Sequence, residues 1–180
     1  IPIRAIFFGG GTPTTLTAGQ ITRIGQAMRD HFDLSELPEF TFEAEVKSVT
    51  EEKCAAMRDI GVNKVRFGLQ SFDPLYRELF NITATIEQEY AAVELFKRYF
   101  EYTSFDMIYG MHGQTFEQFS RDIEYATSMG TRTMELYPIS NVVTQAPLHH
   151  SYAARGLEPL SFIDKMAMTI YLNQYMRASG

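Results

Sequence analysis

The chain has 180 residues, 45% of them hydrophobic and 21% charged, which is ordinary globular composition and enough for one sizeable core. Its net charge of -6, with 16 Lys and Arg scattered rather than gathered in a basic run, argues against nucleic acid or an anionic membrane surface as principal partner and favours a small molecule. No apolar run approaches the ~20 residues of a membrane span, no signal peptide opens Ile1-Pro2-Ile3-Arg4, and a single cysteine, Cys54, excludes an internal disulfide framework or a cysteine-only metal site, so a cytoplasmic protein is expected.

The first predicted strand, Ile3 to Phe8, runs into Gly9-Gly10-Gly11-Thr12-Pro13-Thr14. Three residues without Cβ let a ligand press against bare N–H and C=O groups at the mouth of a sheet, a geometry suited to a carboxylate, an amine or a phosphate. A tight strand-to-helix turn is the plainer reading of such a run. The stretch lacks the Gly-Lys-Ser/Thr ending of a P-loop and the Gly-x-Gly-x-x-Gly spacing of a dinucleotide fold.

A helix from Thr17 to His31 follows, with Thr17 and Gln20 at capping-box spacing, and then the strand Phe40 to Glu45. The next helix, Thr50 to Ile60, ends at Gly61 before the strand Lys64 to Leu69. Thr85 with Gln88 opens a helix to Phe100, Ser104 to Tyr109 is a strand, Thr115 with Gln118 opens a helix ending at Gly130, and Thr133 to Tyr137 is the last strand. Strands alternating with helices of roughly 10 to 15 residues imply right-handed parallel crossovers, hence an α/β sheet, open or curled toward a barrel. Ligands of either kind sit at the carboxyl ends of the strands.

The strand ends are Gly9 to Thr14, Glu43 and Glu45, Gln70-Ser71, Asp106 to Gln114, and Tyr137 to Asn141. Glu43 and Glu45 alternate along a strand and could face solvent while Phe40, Phe42 and Ala44 face the core. Gln70 closes the apolar Val65-Arg66-Phe67-Gly68-Leu69, and Asp106 interrupts Phe105-Asp106-Met107-Ile108-Tyr109, where a carboxylate needs a partner; both favour a site. Cys54, mid-helix, reads as a small buried hydrophobe. His112, His149 and His150 read as loop residues within reach of an anionic substrate, although surface histidines without function are commoner, and Met28, Met57, Met166 and Met168 read as helical fillers of core or interface gaps. The chain opens without a methionine and stops at Tyr175-Met176-Arg177-Ala178-Ser179-Gly180 inside a helical pattern, so a fragment is expected, with residues 1–180 as a single core domain cut at both ends.

Taken together, Phe8-Gly-Gly-Gly-Thr-Pro-Thr14, Phe42-Glu-Ala44, Gly61-Val-Asn-Lys-Val-Arg-Phe-Gly-Leu-Gln-Ser-Phe72 and Asp106-Met-Ile-Tyr-Gly-Met-His-Gly-Gln-Thr115 resemble the radical S-adenosylmethionine proteins related to oxygen-independent coproporphyrinogen III oxidase. The resemblance spans residues 3 to 145 and implies part of a (β/α)6 TIM-like barrel holding a [4Fe-4S] cluster and S-adenosylmethionine. It implies that the cluster reduces the sulfonium, giving methionine and a 5′-deoxyadenosyl radical that abstracts hydrogen from a substrate. That substrate is expected to be a tetrapyrrole, with an electron donor such as flavodoxin or ferredoxin. By the same resemblance Gly9, Gly10 and Gly11, with Thr12 alongside, meet the methionine amine and carboxylate; Glu43 pairs with the cofactor's polar end; Gln70 and Asp106 contact its polar groups, the carboxylate suiting ribose hydroxyls. The cofactor carries the radical chemistry, so no general acid and base pair is expected.

There are departures. The family's Cys-x-x-x-Cys-x-x-Cys loop, which binds the cluster upstream of the glycine run, is not in this sequence, and Cys54 cannot replace it; truncation of the first strand with its cysteine loop is expected, leaving the fragment alone inactive. The family has an arginine where Leu79-Phe80-Asn81-Ile82-Thr83 stands, with Arg77 nearby as a replacement, and a proline where His112 stands, so His112 could face an altered substrate. Three functions fit: an oxidase decarboxylating coproporphyrinogen propionates, a C-methyltransferase or cyclopropanase using two S-adenosylmethionine molecules, for which Met111-His112 and Tyr137-Pro138-Ile139-Ser140-Asn141 leave room, and a haem chaperone.

Overall fold

The computed structural model describes residues 2–139 and 146–179. Five strands, β1 (Ala5–Phe8), β2 (Glu39–Ala44), β3 (Lys64–Gln70), β4 (Tyr102–Tyr109) and β5 (Glu135–Pro138), form one sheet in the order β1-β2-β3-β4-β5. The pairs β1–β2, β2–β3 and β4–β5 are parallel. The crossovers carry α1 (Ala18–His31), α2 (Glu51–Asp59), α3 (Pro74–Leu79), α4 (Ile86–Tyr99) and α5 (Phe116–Ser128), and α6 (Ala146–Ala154) and α7 (Phe162–Ser179) follow β5. This is the α/β class read from the alternation. Each strand lies beside the one before it, which is barrel order; a doubly wound sheet reverses direction at a switch point.

Local signals account for the elements. Thr17, Thr85 and Thr115 each cap a helix in a complete capping box with Gln20, Gln88 and Gln118, satisfying N–H groups that the first turn leaves without partners. Gly61 ends the α2 segment in the left-handed region at φ 104°.

The chain divides into two compact units: Ile1–Gly68 with Ala84–Phe105 and Thr131–Met134, and Leu69–Thr83 with Asp106–Gly130 and Glu135–Gly180. In the first unit Phe40 and Phe42 of β2, Val65 and Phe67 of β3 and Phe105 of β4 are buried, with Met57 of α2 and Phe96 of α4. The Phe67 ring lies 5.7 Å from Phe96 and 5.8 Å from Phe105, within the range of favourable aromatic contact. In the second unit Tyr109, Phe119, Ile123, Met168 and Leu172 form one buried cluster, and Tyr76, Met111 and Tyr152 another.

Several expectations need correction. A helix, α3, stands between Phe72 and Thr85 where none was predicted: Asp73 caps it through Leu75 N–H, with Pro74 at its first position. His149 and His150 lie on α6 rather than in a loop. His112 is in a turn but buried, and Met166 is exposed rather than filling a core gap. Cys54 is fully buried, as expected of a small hydrophobe.

Candidate functional site

In the first unit β1 delivers the chain into the glycine run. The Phe8 ring stacks on Phe42 of the neighbouring strand, 5.0 Å between centroids at 17°, which holds the end of β1 against β2. Gly10 and Gly11 then turn left-handed, at φ 83° and 67°, with no atom within 4 Å of where a Cβ would stand. A Cβ on Gly9 would come within 2.6 Å of Glu43 Oε2. Its absence lets the half-buried Glu43 side chain fold over the loop and accept the Gly10 N–H at 3.1 Å. Glu43 thus turns toward the glycine run rather than into solvent.

The far end of the loop is tied down. Pro13–Thr15 makes a single 3-10 turn, in which the carbonyl of Thr12 accepts from Thr15 N–H and Oγ1–H. Thr14 is buried; its Oγ1 accepts the Glu45 N–H at 2.9 Å and pairs with Ser48 Oγ at 2.6 Å. The Lys53 ammonium donates to the carbonyls of Thr14 at 2.6 Å and Ser48 at 2.7 Å. An ammonium shared by two carbonyls in a half-buried setting fixes the glycine run between β1 at one end and the loop after β2 at the other.

In the second unit, Gln70 ends β3 at φ 68°, a left-handed conformation for a residue with a full side chain. The Ser71 N–H reaches back to the Leu69 carbonyl at 2.9 Å, closing a three-residue γ-turn of the rare, strained hand. Asp106 is half-buried on β4, on the face opposite buried Phe105 and Met107, and opposes Glu135 of β5 in register. Beyond β4, Gln114 Oε1 accepts from the N–H groups of Gly110 and Met111. The imidazole of His112 stacks on Tyr152 at 4.5 Å and 22°, and its carbonyl accepts from Tyr76 Oη at 3.0 Å. Burial, with the charge of Lys165, holds His112 below the usual imidazole range and therefore neutral at pH 7.

The glycine run and Glu43 are thus in contact within one unit, while Gln70 and Asp106 belong to the other and lie on neighbouring strands. Of the Tyr137 to Asn141 strand end, Ser140 and Asn141 fall outside the described residues. Arg77 is buried on α3 and donates to the carbonyls of Leu69 and Ser71, so its guanidinium is engaged with backbone. Asp122 of α5, also buried, accepts from Ser71 Oγ at 2.6 Å and Phe72 N–H at 3.0 Å. Burial pushes its carboxyl up to about 6 against the pull of those hydrogen bonds. Neither Lys53 nor Asp122 stood out in the sequence. Arg77 could have been placed through the Asp73-Pro74 helix start.

The sequence profile of the Radical SAM superfamily matches residues 1–126. The chain belongs to this superfamily. It is 32% identical over 180 residues to the heme chaperone HemW of Lactococcus lactis, covering 99% of this chain and 47% of that protein. It is 34% identical over 116 residues to the oxygen-independent coproporphyrinogen III oxidase of Bradyrhizobium diazoefficiens, covering 64% of this chain and 26% of that one. Coproporphyrinogen III oxidase (HemN) from Escherichia coli, a radical SAM enzyme, superposes with a TM-score of 0.84 at 22% identity, over 99% of this chain and 41% of its own, which establishes the fold as part of a TIM-like barrel. The chain therefore spans less than half the length of these relatives.

Radical SAM chemistry needs S-adenosylmethionine and a [4Fe-4S] cluster. The first has a fitting cradle here: left-handed glycines with open space before them and a carboxylate folded over the loop onto the Gly10 N–H. The second does not. Among the described residues no three His, Cys, Asp or Glu side chains gather as metal ligands, and burial pushes the Cys54 thiol up to about 11, with the charge of Glu51 adding to it, which keeps it protonated at pH 7. No helix among the described residues is long and apolar enough to cross a membrane.

Proposed function

We propose that this chain is the S-adenosylmethionine-binding part of a radical SAM enzyme acting on a tetrapyrrole, with coproporphyrinogen oxidation as the reaction favoured, and that residues 1–180 serve as one core domain of that enzyme. The glycine run carries the reading: Gly10 and Gly11 adopt backbone conformations that other residues resist, face open space, and leave Glu43 beside the Gly10 N–H. Gly9, Gly10, Gly11 and Thr12 take the methionine amine and carboxylate, and Glu43 pairs with the ammonium. Gln70 and Asp106 take polar groups of the same cofactor, Asp106 accepting ribose hydroxyls. Reductive cleavage of bound S-adenosylmethionine supplies a hydrogen-abstracting 5′-deoxyadenosyl radical, and the chain's own part is to bind, orient and exclude water. No residue of the chain is assigned to the cluster.

Haem transfer without oxidation is a second reading. The match to the Lactococcus heme chaperone runs along 99% of the chain, whereas that to the Bradyrhizobium oxidase covers 64%. Both readings share the cofactor and part at the substrate. The full-length protein, prepared anaerobically, is to be titrated with S-adenosylmethionine, then assayed for 5′-deoxyadenosine with coproporphyrinogen III and, separately, for haem binding. Gly10→Val is expected to abolish cofactor binding, because a β-branched residue resists φ 83° and its side chain fills the space before the loop. Normal affinity in that variant would overturn the proposal. Product formation from coproporphyrinogen selects the oxidase, and stable haem binding without it selects the chaperone.

A further inference from the structure

The strained turn at Gln70 has no local cause. Among the described residues only Gln70 and Asn81 are non-glycine residues at positive φ. Asn81 is explained by its place: it follows the end of α3, its N–H bonds to the Glu78 carbonyl and that of Ile82 to the Arg77 carbonyl, the usual left-handed exit from a helix. Gln70 stands at the end of a strand, where the next residue could simply have continued extended.

Two buried charged side chains hold the turn from outside. A single guanidinium nitrogen of Arg77, Nη1, donates to the carbonyl before Gln70, Leu69 at 3.3 Å, and the carbonyl after it, Ser71 at 3.0 Å. Drawing both carbonyls to one donor fixes the peptide plane before Gln70 and the plane after Ser71, so the bonds bracket the left-handed residue and its successor. Asp122 takes the next step of the chain, accepting Ser71 Oγ–H with one carboxylate oxygen and Phe72 N–H with the other. Ser71 Oγ in turn accepts the Asp73 N–H at 3.0 Å. Asp73 caps α3 and Pro74 opens it, so the same Ser71 hydroxyl that Asp122 holds also supports the start of that helix. A buried guanidinium and a buried carboxylate, each costly to desolvate, thus bond to the backbone immediately around one unfavourable conformation, and such strain persists only where its surroundings over-determine it.

We infer that Arg77 and Asp122 are positioning residues that hold Gln70 in its left-handed γ-turn so that its side-chain amide is preset for S-adenosylmethionine. This rests on the reading above in which Gln70 contacts the cofactor. Without the clamp the turn relaxes toward extended backbone and the amide swings away, so the clamp acts on affinity only through the amide of Gln70.

Coupling between variants tests this. The full-length protein is titrated with S-adenosylmethionine as wild type, Gln70→Gly, Asp122→Asn and the double variant, with thermal midpoints recorded alongside. Gln70→Gly is expected to lose about tenfold in affinity while its midpoint stays level or rises, since glycine accepts the left-handed turn without strain. Asp122→Asn is expected to lose about fivefold in wild-type background and nothing further in the Gln70→Gly background. Ser71→Ala, which removes only the hydroxyl that Asp122 holds, gives the same pattern should Asp122→Asn fold poorly. Equal losses for Asp122→Asn or Ser71→Ala in both backgrounds, or none in either, overturn the inference. Unchanged affinity in Gln70→Gly with loss in Gly10→Val overturns the inference but leaves the glycine-run reading standing; unchanged affinity in both overturns both.

Discussion

At Gly10 and Gly11 the chain enters left-handed backbone with residues that carry no Cβ and face open space, whereas at Gln70 it does so with a full side chain, gripped by Arg77 and Asp122. The first arrangement offers a ligand main-chain groups and needs only light support, supplied by Thr14, Ser48 and Lys53 at one end of the loop. The second keeps a full side chain in a strained turn, with two buried charged groups bonded to the backbone around it. If both sites serve the cofactor as proposed, polar groups are presented either by removing side chains or by straining one, and the second route draws on tertiary structure far more heavily.

The largest expected effect concerns that cost. The Asp122 carboxyl is raised from 3.8 to about 6 in the fold, so the native state binds more protons than the unfolded chain between those values. Its contribution to stability is full below about pH 4 and is lost as pH rises through 6, a change of at most about 3 kcal/mol. Urea midpoints measured from pH 4 to 7 should therefore show a difference between Asp122→Asn and wild type that grows in the variant's favour as pH rises. A flat difference would mean that the second unit does not hold a costly charge, and the contrast would fail.

Asp106→Ala comes next: about a hundredfold less 5′-deoxyadenosine from the full-length protein, with a thermal midpoint close to wild type, because the half-buried carboxylate lies on the face away from Phe105 and Met107. Unchanged product formation would remove Asp106 from the site. Glu43→Gln keeps an oxygen for the Gly10 N–H but removes the charge, so S-adenosylmethionine affinity should fall about tenfold with little change in stability. An equal loss of stability and affinity would make Glu43 a support of the loop rather than a ligand. The smallest effect belongs to Gly11→Ala, which meets no neighbour yet sits at φ 67° and should cost about 1 kcal/mol in chemical denaturation. A neutral result would show that the loop readily shifts to accommodate an ordinary residue.

Much of the fold was legible because its causes are local. The threonine and glutamine of each capping box are three residues apart, and all three boxes form as read. The β2, β3 and β4 strands fall within two residues of their expected limits, since side chains alternate between buried and half-buried faces along β3 and much of β4. Helix α3 was missed because six residues are too few for a helical period to emerge. The helical placement of His149 and His150 escaped notice because α6 has no distinct polar and apolar faces. Of the candidate site, the glycine run could be read from composition alone.

By itself the sequence determined the α/β class, the helix starts, the glycine loop and the superfamily, since each depends on residues close together in the chain or on motifs in fixed order. Only the tertiary structure decided that Glu43 folds over Gly10, 33 residues away, that His112 is buried against Tyr152, and that Gln70 is strained and held by Arg77 and by Asp122, which grips the neighbouring Ser71 from 51 residues along the chain. Those facts depend on side chains from different elements meeting at hydrogen-bonding distance. No periodicity or composition encodes such a meeting; it exists only once the sheet has set the strands side by side and the helices have packed against them.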